Sequence, residues 1–374
     1  MKYLKDVCVF QYGFPFDSAL FSDKDGTPLV RIRDVVRGYS ETRTIETFAD
    51  DYCVNDGDIL VGMDGEFNIA KWHGGPAALN QRVCKLIPTS IHPDYLFFFM
   101  PSALKRIEEK TSFVTVKHLS AKELNKITIP VPSKEEQIRI ASQLSGIQRI
   151  VSYYQRQINQ LDDLIKARFV EMFGDPETNP KCWKKGPLAD VITTANNGMA
   201  RRGNDEDGNI VMRLVELQDG YIDYSRPNRI VLTDKEKKRY LLKDKDFLFA
   251  RVNGNPENVG RCAVFYDIGE PVFHNDHIIR VHFDDNVLEG PFASALLNSE
   301  YGKRQLRNQI KTSAGQYTVS QDGIGAIVAI LPPIEAQRQF ASFVSQVDKS
   351  KVVVQKALKK AQQLFDSLMQ EYFG

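Results

Sequence analysis

Apolar residues between positions 132 and 174 fall at Ile140, Leu144, Ile147, Val151, Tyr154, Ile158, Leu161 and Ile165. The steps alternate between four and three without a break. That is the seam of a heptad helix, narrower than the stripe of a helix lying on a globular core. The stretch opens with the capping-box pattern Ser133-x-x-Glu136 behind two prolines and stops at Gly174, ahead of Asp175-Pro176. A serine that accepts from the first helical N–H groups, and a glycine plus proline that cannot continue the helix, predict both ends. A second stretch, 332–374, carries Phe340, Val344, Val347, Lys351, Val354, Leu358, Ala361, Phe365, Leu368 and Tyr372 in the same register, with Lys351 alone breaking the seam. About 40 residues rising roughly 1.5 Å each predict rods of about 60 Å.

The two stretches align without a gap at an offset of 200, and 11 of 43 positions are identical. Among these are Pro132/Pro332, Glu135/Glu335, Gln137/Gln337, Glu171/Glu371, Phe173/Phe373 and Gly174/Gly374. Two arrangements satisfy the pattern: each rod packed on its own domain, or the rods packed on one another. A 3.5-residue period held this long favours a helix partner. Repeats related by an approximate two-fold axis would make the pair antiparallel, with Lys351 opposing a partner or a gap and helping to fix register.

Ahead of each rod stands a different kind of segment. Residues 1–132 carry short apolar runs broken by turn signals, at 30–35, 58–65 and 78–87; residues 175–331 answer with 211–217, 246–254 and 272–283. Each then has one helical stretch, 95–110 and 291–311, followed by Thr-Ser and Thr-Val. The predicted fold class is therefore α+β. Two mixed α/β domains, 1–132 and 175–331, are joined and separated by two long helices, 133–174 and 332–374, that form an antiparallel coiled coil in a pseudo-two-fold internal repeat.

Composition narrows the chemistry. The chain is 42% hydrophobic and 26% charged, too apolar for a disordered protein. Its net charge of +1 announces no strongly basic binder. Residues 1–132 hold 16 basic and 17 acidic side chains and residues 175–331 hold 21 and 22, so each domain is −1. The first ten residues contain no long apolar region, so secretion is not expected, and the apolar run 95–100 is too short to span a membrane. Five cysteines, at 8, 53, 84, 182 and 262, include no C-x-x-C and read as reduced thiols. No phosphate-binding glycine loop, H-E-x-x-H or G-x-S-x-G motif is present. Residues 253–257 lack the second proline and the aromatic of an N-P-P-[YF] methyltransferase loop. His274, His277 and His282 lie close in sequence, but alternation along a strand would place His274 and His277 on opposite faces, so no metal is assigned there.

The order of unlike domain, long helix, unlike domain, long helix, with Pro132-x-x-Glu135-x-Gln137 and Pro332-x-x-Glu335-x-Gln337 at the helix starts and Glu171-x-Phe173-Gly174 and Glu371-x-Phe373-Gly374 at their ends, resembles the specificity subunits of type I restriction-modification systems. The resemblance spans the whole chain. It implies that each α/β domain is a target recognition domain reading one half of a bipartite, asymmetric sequence in double-stranded DNA. It also implies that the coiled coil sets the spacing and docks two modification (methyltransferase) subunits, with restriction (endonuclease/translocase) subunits joining that core. The specificity subunit itself would catalyse nothing and hold no cofactor; S-adenosylmethionine, ATP and magnesium would belong to the partner subunits. A prokaryotic cytoplasm is the implied location. Half-sites read from one face of the duplex would lie roughly 10 bp apart, leaving an unread spacer of about five to eight bp.

Residue chemistry then selects candidates for DNA contact. Arg forks onto guanine, Asn and Gln onto adenine, and Thr, Ser and Lys reach phosphates. In the first domain these are Arg31, Arg33, Arg37, Arg43, Lys71, His73, Lys110, Thr111, Ser112, Lys117 and His118. In the second they are Arg201, Arg202, Asn204, Arg226, Asn228, Arg229, Arg251, Asn253, Asn255, Lys311, Thr312, Ser313, Gln316 and Tyr317. The polar loops expected at 110–118 and 311–318 recur in both domains. Two rival readings remain: an enzyme with fused recognition domains, which would need the missing motifs, and a coiled-coil scaffold whose domains bind protein or ligand, which near-neutral charge keeps open.

Overall fold

The computed structural model describes residues 1–65, 67–110, 118–313 and 315–374. It divides into two compact units, residues 1–155 with 356–374, and residues 156–355. Each long helix, Lys134–Phe173 and Ile334–Phe373, therefore begins in one unit and ends in the other.

The first long helix starts and ends where the punctuation predicts. Ser133 Oγ accepts from Glu136 N at 3.2 Å, while the Glu136 carboxylate turns to Arg139 at 2.6 Å instead of closing the box. Gly174 adopts the left-handed conformation (φ +78) and donates to Val170 O. All of the predicted seam positions are buried or half-buried, with exposed residues between them.

Within the first unit the two helix portions run antiparallel. Ile140, Ala141 and Leu144 share a core with Phe373, and Phe365, Leu368 and Tyr372 pack on it. Tyr372 Oη donates to Gln143 Oε1 at 2.9 Å. Within the second unit they are again antiparallel: Phe169, Phe173 and Phe340 form one aromatic cluster, and the Arg168 guanidinium lies over the Phe343 ring. Lys351 meets a partner, Asp162 Oδ1, at 2.6 Å. Asp162 thus answers the one polar seam position.

The motif residues shared by the two helices tie them to the domains. Gln137 is buried, accepts from His92 N at 2.8 Å and donates to Pro132 O at 2.9 Å. Gln337 accepts from Glu289 N at 2.9 Å and donates to Pro332 O at 2.8 Å and Val287 O at 3.0 Å. Each carboxamide thereby fastens a helix start to the domain before it. At the far ends, Phe373 packs against Tyr95 and Phe99 of the first unit, and Phe173 against Phe292 of the second.

The two α/β domains share one plan. In the first, an antiparallel sheet has the order Cys8–Tyr12, Val83–Pro88, Ile59–Gly62, Ile69–Lys71. In the second, Ile192–Asn197, Ile278–Phe283, Phe247–Ala250 and Cys262–Val264 repeat that order. Beside it, Thr27–Val30 runs parallel to Ala77–Leu79, as Asn209–Met212 does to Val272–His274. The domains are thus more alike in backbone than their sequences suggest.

Two local expectations are corrected. The stretch 291–311 is not one helix but two, Gly290–Leu297 and Glu300–Arg307, because Ser299 Oγ accepts from Gly302 N and starts a new helix, while the Asn298 amide donates to Cys262 O. The segment 311–318 is not an open loop. Lys311–Ser313 pairs with Gln316–Thr318, which pairs in turn with Val252–Asn253, making a three-stranded ribbon. Cys8, Cys84 and Cys262 are buried core thiols, and the Cys8 and Cys84 thiols are pushed up to about 12 by desolvation. Among the described residues, no helix is long and apolar enough to cross a membrane.

Candidate nucleic-acid interface

One backbone turn is built twice. In the first domain the strand Ala77–Leu79 stops at Asn80, and the chain re-enters the sheet at Val83. Phe14 N donates to Leu79 O, Gln81 N to Phe14 O, and Val83 N to Asn80 O, all between 2.9 and 3.0 Å. In the second domain Met199 N donates to His274 O, Asp276 N to Met199 O, and Ile278 N to Asn275 O, each at 3.0 Å. The buried asparagine of each turn accepts, through its Oδ1, the N–H two residues on: Arg82 N at 3.2 Å and His277 N at 3.1 Å. This is the local bond that suits asparagine to turns. Gly13 and Gly198 press on the turns so closely that a Cβ on either would stand 2.2 Å from the Asn80 or Asn275 carbonyl oxygen.

The side chains on this common frame differ. Arg82 donates to Asp64 Oδ2 at 3.0 Å, and the other oxygen of Asp64 lies 2.6 Å from His118 Nδ1. In the second domain Arg202 donates to Asp276 Oδ1 at 2.6 Å and lies 3.0 Å from His277 Nε2. A guanidinium can only donate, so Nε2 accepts and the ring proton is assigned to Nδ1. Burial, then the charges of Arg202 and Arg251, holds the His277 imidazole below its ordinary value against the pull of Asp276. His274 ends its strand, and residues 275–277 form the turn. The two rings are therefore separated by that turn, not by alternation along one strand. His274 is fully buried with Nδ1 3.1 Å from Tyr240 O, and His282 sits 3.1 Å from Asp246. Among the described residues, no three His, Cys, Asp or Glu side chains gather as a metal site.

The ribbon adjoins the second frame through Arg251. Its N–H donates to His277 O at 2.7 Å, its carbonyl accepts from Val319 N at 2.9 Å, and its Nη1 reaches Asp276 O at 3.0 Å. Asn253 stands opposite Tyr317, and Tyr317 opposite Thr312. Lys311, Thr312 and Gln316 are exposed, whereas Tyr317 is half-buried against the core. Asn253 and Asn255 accept backbone N–H groups through Oδ1, and each carries a side-chain NH2 as its donor. The structure thus brings Arg202, Arg251, Asn253, Lys311, Thr312, Gln316 and Tyr317 into one neighbourhood. The first domain repeats the connection: Met63 N donates to Arg82 O, and Leu119 N to Met63 O.

Other candidates are placed elsewhere. Arg31, Arg33 and Arg37 belong to the short helix Ile32–Arg37 or its N-cap. Arg33 bonds Thr42 at 3.2 Å, and Arg37 lies 4.0 Å from Glu41. Arg43 donates to Gly26 O, and Lys71 is paired with Asp94 at 2.5 Å. Arg201 meets Val231 O and Glu236. Arg229 forks onto Glu270, which raises the guanidinium's affinity for its proton and lowers that of the carboxyl. His73, Asn204 and Arg226 are exposed, and Asn228 is buried. Thr111, Ser112 and Lys117 lie outside the described residues, as do the side chains of Lys110 and Ser313. Exposed ion pairs are worth about 0–1 kcal/mol each, so a phosphate displaces such a carboxylate at small cost.

Sequence reasoning missed Asp64, Arg82, Asp276 and His277. For Arg82, Asp276 and His277 the signal was the pair Asn80-Gln81-Arg82-Val83 and Asn275-Asp276-His277-Ile278, in which one asparagine precedes unlike residues and a β-branched strand start; Asp64 lies outside both and left none.

Residues 1–162 and 180–362 each match the family model described as the type I restriction modification DNA specificity domain. The chain is similar to the specificity subunit of the type I restriction enzyme EcoBI from Escherichia coli, at 28% identity over 397 aligned residues covering 96% of this chain and 82% of that protein. It is also similar to the StySPI specificity subunit from Salmonella potsdam, at 28% over 302 residues, 76% of this chain and 65% of that protein. Among solved structures, the S subunit of a type I restriction-modification system from M. genitalium matches with a TM-score of 0.60 at 15% identity, over 100% of this chain and 95% of that one. A chain from a study of complex assembly and conformational transition of the type I restriction-modification system reaches 0.52 at 15%, over 99% and 96%. Likenesses this distant speak to the fold.

Proposed function

The chain belongs to the type I restriction-modification DNA specificity family, and from that premise we propose that each of its two domains reads one half of a bipartite, asymmetric DNA target. The observation that carries this reading is the twice-built frame with unlike side chains: two readers of one design and different chemistry suit two different half-sites. DNA contact is assigned to the ribbon and frame residues Arg202, Arg251, Asn253, Lys311, Thr312, Gln316 and Tyr317 in the second domain, and to His118 beside Asp64 in the first.

The paired helices set the separation of the half-sites and dock two modification subunits. Exposed apolar side chains on the helices support docking. The first unit presents Ile150, Tyr153 and Leu364, and the second Leu164, Val352 and Val353. The offset of 200 relates Tyr153 to Val353 and Leu164 to Leu364, whereas Ile150 answers Ser350 and Val352 answers Ser152, so two of these apolar positions recur in both units, which suits two copies of one partner. The chain is the non-catalytic member of the assembly and works in a prokaryotic cytoplasm. S-adenosylmethionine, ATP and magnesium belong to the modification and restriction subunits. The test is to produce the chain with its modification subunit and map methylated adenines genome-wide. A gapped motif with two dissimilar halves is expected; a continuous palindrome refutes the reading.

A further inference from the structure

We infer that the third position of the repeated asparagine turn is a base-reading position, occupied by Arg82 in the first domain and by His277, buttressed by Arg202, in the second. The inference rests on the DNA-reading role proposed above and adds to it the residues that discriminate.

Three features of the structure carry it. First, the frame is the same in both domains: three backbone bonds, the Asx bond to the reader's own N–H and a glycine in contact with the turn. The two side chains therefore leave equivalent backbone positions. A frame kept constant while its passenger changes is what a variable reading head needs. Second, each passenger is held by a carboxylate-centred cluster. Asp64 takes Arg82 Nη1 and faces His118; Asp276 takes Arg202, which faces His277 Nε2. A stiffened side chain loses less rotamer freedom on binding. Third, both clusters reach the surface. The Arg82 side chain is 65% exposed and that of Arg202 51%.

The chemistry separates the two readers. A guanidinium anchored at one nitrogen still presents a donor edge, the geometry that matches guanine O6 and N7. His277, with its proton on Nδ1, offers a single donor and suits a single acceptor such as guanine O6 or thymine O4.

The experiment uses the full chain assembled with its modification subunits and enriches a randomised DNA library for binders, which are then sequenced. Wild type is run beside Arg82→Lys, Arg82→Gln and His277→Ala. Both Arg82 variants are expected to relax one base position of one half-site by about 10- to 100-fold, the range of a lost bidentate contact, and to leave the other half-site untouched. His277→Ala is expected to relax one position of the opposite half-site. Unchanged base preferences in these variants overturn the inference while the wild-type motif preserves the proposed function. Uniform weakening across all sequences, with a salt slope lowered by about one, makes the residue a phosphate contact and also overturns it. A wild-type complex that selects no bipartite sequence removes the DNA-reading role and this inference together.

Discussion

Replacing Gln337 by methionine tests whether the helix starts are latched to the domains as the geometry requires. Gln337 is fully buried and makes three bonds to backbone: it accepts from Glu289 N and donates to Val287 O and Pro332 O. Methionine keeps the length and most of the volume, so packing loss is small. The three backbone groups, however, lose their partner in a dry site. A buried polar group left unpaired costs about 1–3 kcal/mol. Allowing for relaxation and neighbouring groups that share the loss, about 3–6 kcal/mol is expected for the second unit. Gln137→Met orphans only His92 N and Pro132 O, in the first unit. Its cost should be lower, about 2–4 kcal/mol on the same basis. The assay is urea unfolding followed by Trp183 fluorescence for the second unit and Trp72 for the first, each with the other tryptophan replaced by phenylalanine. A midpoint change equivalent to less than about 1 kcal/mol in Gln337→Met would refute the argument, because a group worth that little is not satisfying three buried partners.

Gly13→Ala and Gly198→Ala each set a methyl 2.2 Å from a turn carbonyl; matched losses of about 3 kcal/mol or more are expected in the two units, and thermal melts showing an unaffected variant contradict the shared frame. His274 is held down to about 4 from 6.5 by burial. The unfolded chain therefore takes up a proton before the folded one does, so stability is full above pH 6.5 and falls by about 3 kcal/mol as the pH drops towards 4. His274→Gln should flatten that limb in pH-dependent urea titrations; an unchanged limb assigns acid sensitivity elsewhere. Lys351→Met completes an apolar seam and releases Asp162, itself 45% exposed, to solvent. Melting temperature should hold or rise while the accepted spacer length broadens in methylation mapping. A lower melting temperature would show that the ion pair contributes net stability.

The long helices were legible because their information is local and periodic: a 3.5-residue seam and glycine stops leave little else for the chain to do. Lys351 announced itself by interrupting that seam, but its partner Asp162 did not, because an acidic residue on a helix flank has the same sequence signature whether it is solvated or paired. Gln137 and Gln337 were visible as repeated letters but not as latches, since their partners His92 N and Glu289 N are backbone atoms with no sequence signature. The shared domain plan was obscured for a related reason. The frame consists of backbone bonds that many residues can make, and only glycine and asparagine leave a trace at Gly13, Gly198, Asn80 and Asn275. The segment 311–318 read as a loop because its residues are polar and short-patterned. Pairing with Val252–Asn253, about sixty residues away in sequence, makes it a ribbon, and single-sequence periodicity carries no term for such long-range pairing.

The near-neutral domains also say how affinity and selectivity must be divided. Several basic groups of the two domains are matched by carboxylates: Lys71 by Asp94, Arg82 by Asp64, Arg202 by Asp276, Arg229 by Glu270. Such a surface gains little from the release of counterions, the term that dominates non-specific binding. It does gain orientation, because each paired side chain is held in one geometry before DNA arrives. A chain built this way discriminates more than it attracts. On the reading proposed above, a large share of the phosphate contacts comes from other members of the assembly, and paired residues such as Arg82 add little to the salt slope. Salt titration of the assembled complex against its Arg82→Lys form distinguishes these contributions directly: selectivity at one base moves while the slope stays where it was.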